Sequence, residues 1–418
     1  MSRPRSNRDR HGTSDTSLSY EIASQQCDLA NQSPGVPVVS RSPQGPFLPR
    51  EEEHRILQES LEAVRAGGVR IVCLTGEPGA GKTTLLEHFV SGIQNAPGQL
   101  VTLSSCSQRL AGAEAFLPLL DSVDGLTRQG ENAAITGLLK LTAPTWYVQN
   151  APLWSTADPA FASVLERARV ASLERVKREL STFVAHITAV LPLVMAIDDL
   201  HWADASTVEV LAYLLSRPTL KRVLLVCAYR QTEMSLSAHP FVTIRHGLVK
   251  RRLLQELPLR RLNQEETEHY LDVAFPDNSF PRQLASVVQA RSNGNPFFLS
   301  EIVRDLIQRG AVRPRQGKWH LEWSLDQVRN SLPLSIQSVI ASKIEQLDTD
   351  DRLLMLAASL QGMEFDSRLA AIAVGYRVSD AEQRLTRLDS VHSLITLIGE
   401  SDPGDALPSQ RFAFVHVL

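Results

Sequence analysis

The sequence predicts an α/β protein in which a parallel sheet is sandwiched between helices and is followed by a helical lid and a winged-helix-like domain. Three observations carry that prediction. Near-continuous apolar runs of strand length alternate with helical stretches, the pattern of a parallel sheet covered on both faces. The first of these runs ends in the glycine-rich "TGEPGAGKTTLLEHF" at 75–89, which leads into a helical pattern. Farther on, residues 333–418 place four helical patterns ahead of two extended runs.

Composition sets the scale. A chain of 418 residues, 43% apolar and 21% charged, suits two or three packed domains. With 43 Lys+Arg against 46 Asp+Glu the net charge is −3, so neither a basic excess toward nucleic acid nor an acidic tail is present. The cysteines, Cys27, Cys73, Cys106 and Cys227, form no CxxC pair, and no histidine cluster has metal spacing. Cys73 and Cys227 sit inside apolar runs as small hydrophobes. The longest apolar stretch, "AVLPLVMAI" at 189–197, is far short of the ~20 residues a membrane span needs. The early arginines Arg3, Arg5, Arg8 and Arg10 are followed by no apolar core, so no secretory signal is expected. With a nucleotide motif present, these features lead to the expectation of a reducing, cytoplasmic setting.

The elements follow in order. Residues 1–46 are rich in Ser, Arg, Asn, Gln and Pro without an apolar period and are expected to form a disordered leader. The nucleotide-binding domain is expected over 47–259. It opens with a helix in "REEEHRILQESLEAVRAG", where Ile56, Leu57, Leu61 and Val64 share a face and Gly67-Gly68 ends the run. Strands are expected in "RIVCLTG", "QLVTLSS" (99–105), "LPLVMAIDD" (191–199), "RVLLVCAYR" (222–230) and "LLQELPL" (253–259). Between the second and third lies "FASVLERARVASLERVKRELSTFVAHITAV", a helical pattern that marks an inserted helical region. Residues 260–332 read as a helical lid with turns at "FPDNSFP" and "SNGNP" and a short hairpin around "GKWHLEW". The winged-helix-like domain, 333–418, is expected to be truncated at its C-terminus.

Chemistry concentrates at the first strand's end. Gly76-Glu77-Pro78-Gly79-Ala80-Gly81-Lys82-Thr83 satisfies GxxxxGK[ST] between a strand and a helix, the P-loop of nucleoside triphosphatases. Its glycines let successive N–H groups turn inward on one anion. Residues 76–83, with Thr84, are therefore assigned to ATP; Lys82 reaches the β and γ phosphates and the Thr83 hydroxyl ligates Mg²⁺. In "LPLVMAIDDLHWAD" a buried strand ends in two acids at the edge where ligands bind open α/β sheets. Asp198 is expected to hold Mg²⁺ opposite Thr83. For Asp199 two readings stand: a carboxylate that orients the attacking water, or a helix cap or solvated loop acid. His201 reads either as a γ-phosphate sensor or as a locally hydrogen-bonded ring, and Trp202 as packing. Ser206-Thr207-Val208-Glu209 fits a capping box, which leaves Asp204 and its neighbours a structural role. Arg230, after "VLLVCAY", reads equally as a guanidinium for the terminal phosphate or as a surface ion pair.

Taken in order, "GEPGAGKTTLL", "PLVMAIDDLHWADASTVEVLAYL", "LLVCAYRQTE", "SNGNPFFLSEIV" and "SLPLSIQSVIASKIEQLDTDDRLLMLAASLQGMEF" resemble the signal-transduction ATPases with numerous domains, a branch of the AAA+ class, over about 47–418. The likeness is to ATPase modules of large bacterial regulators that accompany adenylate-cyclase, kinase or DNA-binding domains. It implies that Arg50, in "FLPREEE", lies near the adenine, although Pro49 stands where the family usually has glycine. It also implies that Pro296, in Gly294-Asn295-Pro296, packs near the base and that Arg230 senses the nucleotide. The family's faster hydrolases commonly carry Glu where Asp199 stands, which implies slow turnover. Relatives usually continue past the segment resembling "RFAFVHVL", so a truncated product or a fragment is expected.

The function expected from the sequence is therefore an ATP-binding signalling switch with slow hydrolysis, catalysed through Lys82, Asp199 and Arg230. Partners are the nucleotide and other protein domains or a second copy. The alternatives are DNA contact through the winged helix, disfavoured because "SDAEQRLTRLDS" is nearly charge-balanced, and the ATPase part of a cyclase- or kinase-linked regulator. For the last, no kinase glycine-rich loop or HRD-type segment is present.

Overall fold

The computed structural model describes residues 50–414 except 95, 108–114, 129–132, 151–163, 166–167, 169–171, 332, 346, 390–393 and 402–408. The expected leader, Cys27, Pro49 and much of the first half of the inserted helical pattern lie outside the described residues.

Helix α1 (Glu51–Arg65) carries Leu57, Leu61 and Val64 on its buried face and leads into β1 (Val69–Thr75). Next come α2 (Lys82–Gln94), β2 (Leu100–Ser105), α3 (Leu117–Arg128), α4 (Ala133–Thr142), α5 (Pro144–Asn150) and α6 (Leu173–Val190). The second half of the domain holds β3 (Leu193–Asp198), α7 (Ala205–Ser216), β4 (Val223–Tyr229), α8 (Gln231–Leu236), α9 (Phe241–Lys250) and β5 (Leu254–Pro258). The five strands form one sheet in the order β2-β3-β4-β1-β5, parallel at every pairing. This is the α/β P-loop NTPase architecture.

Strand periodicity sorts the core into two layers. Ile71, Cys73, Met195, Ile197, Leu225 and Cys227 face one side, with α3 to α7 and α9. Val72, Leu74, Val194, Ala196, Leu224 and Val226 face the other, with Leu57 and Leu61 of α1 and Leu85 and Phe89 of α2. All residues of β3 and β4 are buried, so neither strand shows polar alternation. At roughly 1.5–3 kcal/mol per fully buried aliphatic or aromatic side chain, this double covering makes the sheet a rigid platform for the loops at its carboxyl edge.

The later region comprises α10 (Gln264–Ala274), α11 (Gln283–Ser292), α12 (Pro296–Gln308), the antiparallel hairpin β6 (Val312–Arg315) and β7 (Lys318–Leu321), and α13 (Leu325–Asn330). It continues as α14 (Leu334–Glu345), α15 (Thr349–Ser359), β8 (Glu364–Asp366), α16 (Ser367–Val374), α17 (Val378–Arg387), β9 (Ile395–Ser401) and β10 (Ser409–Phe414). The last three strands form an antiparallel sheet in the order β8-β10-β9. One apolar cluster runs from Leu262 through Phe298 and Leu354 to Phe412, so the helices after β5 and this small sheet share a core.

Three local expectations change. Helix α7 starts at Ala205, and its cap is Asp204, whose Oδ1 accepts from Thr207 N at 2.9 Å, not the box expected at Ser206. Asp204 also accepts from Phe116 N at 3.3 Å, and this contact across the sequence favours the earlier start. Within the long helical pattern before β3, Ser172 caps α6 by accepting from Arg175 N, which starts a helix at Leu173. The three-residue β8 was not anticipated because it is too short to show a period.

Candidate functional site

The carboxyl edge of the sheet brings Thr75, Asp198 and Tyr229 to one end of neighbouring strands, and the motif residues follow from there. Gly79 and Gly81 adopt φ of 80° and 87°, the left-handed region glycine enters without a Cβ penalty. An added Cβ at Gly79 would come within 2.6 Å of Asn295 Oδ1 and 2.9 Å of Phe297 Cβ, so close packing excludes a side chain as well.

Lys82 opens α2 buried, and its ammonium donates to the carbonyls of Gly76 and Glu77, both at 2.9 Å. Burial, then the nearby Arg230 guanidinium, lowers its pKa to about 8 against the pull of Asp199 and Asp198. Thr83 Oγ1 donates to Asp198 Oδ2 at 2.7 Å, joining the first turn of α2 to the tip of β3. Asp198 Oδ1 accepts from Asp199 N at 2.9 Å. Burial shifts the Asp198 carboxyl upward, opposed by the Thr83 hydrogen bond. Thr84 lies beside Thr83 in the same helical turn.

Asp199 sits in the left-handed region at φ 51°, with its side chain about one-third exposed, at the start of a short 3-10 turn over Leu200–Trp202. His201 is buried from that turn, and Trp202 packs on the core as expected. Arg230 follows β4, and because β4 lies between β1 and β3 its guanidinium emerges beside the motif loop. It pairs with Glu233 Oε1 at 2.6 Å.

The start of α12 reaches the same loop. Asn295 Nδ2 donates to Pro78 O at 3.0 Å and Phe297 N to Gly79 O at 3.2 Å. Pro296, the first residue of α12, lies against Gly81: a Cβ placed there would be 3.9 Å from Pro296 Cγ. Arg50 is buried; its Nη2 donates to Ala80 O and Arg260 O, both at 3.0 Å, and its Nη1 to Glu53 at 3.1 Å. Glu77 pairs with Arg261 at 2.9 Å. The residues proposed for nucleotide and metal are thus gathered at one place, with Arg50 hydrogen-bonded under the loop.

Asn295, Arg261 and Glu233 were missed by sequence reasoning. Asn directly before Pro and an apolar helix suits an N-cap, and Glu233 stands one helical turn after Arg230, but neither spacing shows a long-range partner.

The arrangement suits Mg²⁺ with a polyphosphate. A hydroxyl and a carboxylate 2.7 Å apart are hard oxygen donors, and Mg²⁺ characteristically takes one or two carboxylate or hydroxyl ligands along with phosphates and water. Among the described residues no cluster of three or more His, Cys, Asp or Glu forms a self-sufficient metal site. Cys73, Cys106 and Cys227 are buried free thiols. No described helix is long and apolar enough to cross a membrane.

Comparison with known proteins gives residues 46–226 as a match to the family model described as AAA ATPase domain. An uncharacterized protein of Rhizobium meliloti (strain 1021) is 25% identical over 340 residues, which cover 75% of this chain and 29% of that protein. The matched stretch therefore spans less than a third of that relative. Among solved structures, the Walker-type ATPase PABY2304 of Pyrococcus abyssi superposes with a TM-score of 0.51 at 15% identity, covering 93% of this chain and 97% of that one. The RuvB Holliday junction branch migration motor of Thermotoga maritima gives a TM-score of 0.38 at 15% identity, covering 84% and 90%. The match to the AAA ATPase domain model thus takes in the glycine-rich loop, Thr83 and Asp198, and the Pyrococcus structure shares the fold.

Proposed function

We propose that this protein is an ATP-dependent signalling switch with slow hydrolysis, of the kind found in the signal-transduction ATPases with numerous domains. The observation that carries the reading is the Thr83–Asp198 hydrogen bond, which sets the end of the motif loop against the acid at the tip of β3.

In this reading the amides of 76–83 and the N-terminus of α2 bind the phosphates, and Lys82 turns from the loop carbonyls to the β and γ oxygens. Thr83 and Asp198 hold Mg²⁺, which when bound neutralises charge on the phosphate oxygens. Asp199 orients the attacking water and accepts its proton. Its left-handed backbone explains the short acid, since Asp enters that region more readily than the bulkier Glu. Arg230 meets charge at the terminal phosphate, and Pro296 and Arg50 border the base.

The switch element is the lid. Two donors of the segment 295–297 hold carbonyls of Pro78 and Gly79, so a rearrangement of the loop around phosphates changes the footing of α12. A ligand shifts such an equilibrium only by its difference in affinity for the two arrangements. Helices α15, α16 and α17 with the sheet β8-β10-β9 support the winged-helix reading. DNA contact through α17 is disfavoured: Arg384 pairs with Asp348, Asp350 and Asp351, and Arg387 with Asp348 and Asp351, so these basic groups are already neutralised. Protein domains or a second copy remain the proposed partners, in a cytoplasmic setting.

Hydrogen exchange tests the switch. Amides around 295–299 and 76–81 are expected to change protection together between ATP·Mg²⁺ and ADP·Mg²⁺; identical protection in both states contradicts a nucleotide-operated lid.

A further inference from the structure

Four side chains beyond the carboxyl ends of β3 and β4, Arg230, Glu233, His201 and Asp199, form a linked series of polar groups. Arg230 Nη1 donates to Glu233 Oε1 at 2.6 Å. Glu233 Oε2 lies 3.0 Å from His201 Nε2, and His201 Nδ1 lies 3.9 Å from Asp199 Oδ1. The His201 side chain is 0% exposed, and its two nitrogens and Glu233 Oε2 are buried without an aligned hydrogen bond. Its ring stands 4.9 Å from that of Trp202, which confines it from the other side.

Glu233 is a fixed anion. Burial on its own would raise its carboxyl, but His201 and Arg230 outweigh that and hold it down to about 2. The Glu233 side chain is partly buried, with Oε2 shut off from solvent, and a charge so placed is held by the partners that compensate it. The field of Arg230 also reaches Lys82, so guanidinium and ammonium share one electrostatic environment.

We infer that Glu233 is a positioning residue that holds Arg230 as its counter-ion in competition with the terminal phosphate, and so sets how strongly the site prefers ATP to ADP. This rests on the nucleotide-site reading above. One guanidinium faces two anions; Glu233 engages it through Nη1 alone, and the carboxylate charge it already balances weakens its pull on the phosphate. With ADP there is no terminal phosphate to compete, and Glu233 keeps the fork. With ATP the carboxylate retains His201 as its neighbour, on the side that leads to Asp199.

The test is isothermal titration of the full chain with ATP·Mg²⁺ and with ADP·Mg²⁺. Glu233→Gln removes the competing charge, so the preference for ATP is expected to rise about fivefold, the scale of a half-exposed ion pair. Arg230→Gln is expected to abolish the preference, and the double variant to match Arg230→Gln alone, as coupled neighbours do. Glu233→Asp keeps the charge but withdraws it, and is expected to shift the ratio less in the same direction; it decides the question where Glu233→Gln does not fold. A wild-type ratio in a variant that binds both nucleotides overturns this inference alone. Failure of the wild-type chain to bind either nucleotide overturns the site reading with it.

Discussion

Asn295 donates its side-chain amide to the carbonyl oxygen of Pro78 across 3.0 Å, tying residues 217 apart in sequence. The same side chain accepts from Phe297 N at 3.0 Å, so one residue both caps α12 and holds the motif loop. Asn295→Ala removes both interactions. The expected cost is about 1–3 kcal/mol in urea unfolding, together with weaker ATP binding. An unchanged urea midpoint would show that the latch contributes nothing.

Two glycine substitutions with opposite outcomes test the packing of the loop. Gly79→Ala places a methyl group 2.6 Å from Asn295 Oδ1 at a φ of 80°, and ATP affinity is expected to fall at least tenfold. Gly92→Ala, in the last turn of α2 with nothing within 4 Å, is expected to stabilise by up to about 0.5–1 kcal/mol and leave ATP binding alone. Paired titrations and thermal unfolding check both; equal behaviour of the two variants contradicts the geometry.

The pH dependence follows from Lys82, whose pKa burial and Arg230 lower to about 8. Phosphates favour the ammonium, so the complex holds the proton to higher pH than the free protein does. Below about 8 both are protonated and affinity is flat; above it binding must take up a proton, and affinity falls by up to roughly tenfold per pH unit. Stability runs the other way. Lysine in the unfolded chain titrates near 10.4, so between about 8 and 10.4 the unfolded state binds more protons and this group's contribution to stability rises with pH. Calorimetry in buffers of different ionisation heat measures the uptake, and an affinity that is constant from pH 7 to 9.5 contradicts the placement of Lys82.

For Asp199 the left-handed φ of 51° makes the choice of variant matter. Asp199→Asn tolerates that backbone and is expected to keep ATP binding while lowering kcat by roughly 10²–10⁴, the range of a lost general base. Phosphate release under saturating ATP measures it. A wild-type kcat in Asp199→Asn assigns the residue to the turn and not to the chemistry.

How much was legible in the sequence varies with the range of the interaction. Strands β1, β3 and β4 were readable because burial on both faces leaves an unbroken apolar run. The loop 76–83 was readable because phosphate binding demands glycines and a lysine at fixed spacing. The grip on that loop was not. Asn295 and Arg261 act on Pro78 and Glu77 through contacts that exist only once the chain after β5 folds back on the sheet, and Arg50 reaches Ala80 from the start of α1, thirty residues away in sequence. The cap of α7 shows the same limit: Ser206 and Asp204 both suit an N-cap locally, and the distant Phe116 N–H supplies a partner for Asp204. Arg230 was read as phosphate ligand or ion pair; the structure shows the pair with Glu233, in reach of the proposed phosphate site.

Titration of ATP into the wild-type chain and Lys82→Ala, each with and without Mg²⁺, decides whether residues 76–83 and Asp198 form a nucleotide site. Mg²⁺-dependent binding to the wild type and none to Lys82→Ala at the same concentrations is the expected result, with far-ultraviolet circular dichroism unchanged. Lys82→Ala protein that titrates like the wild type would contradict it.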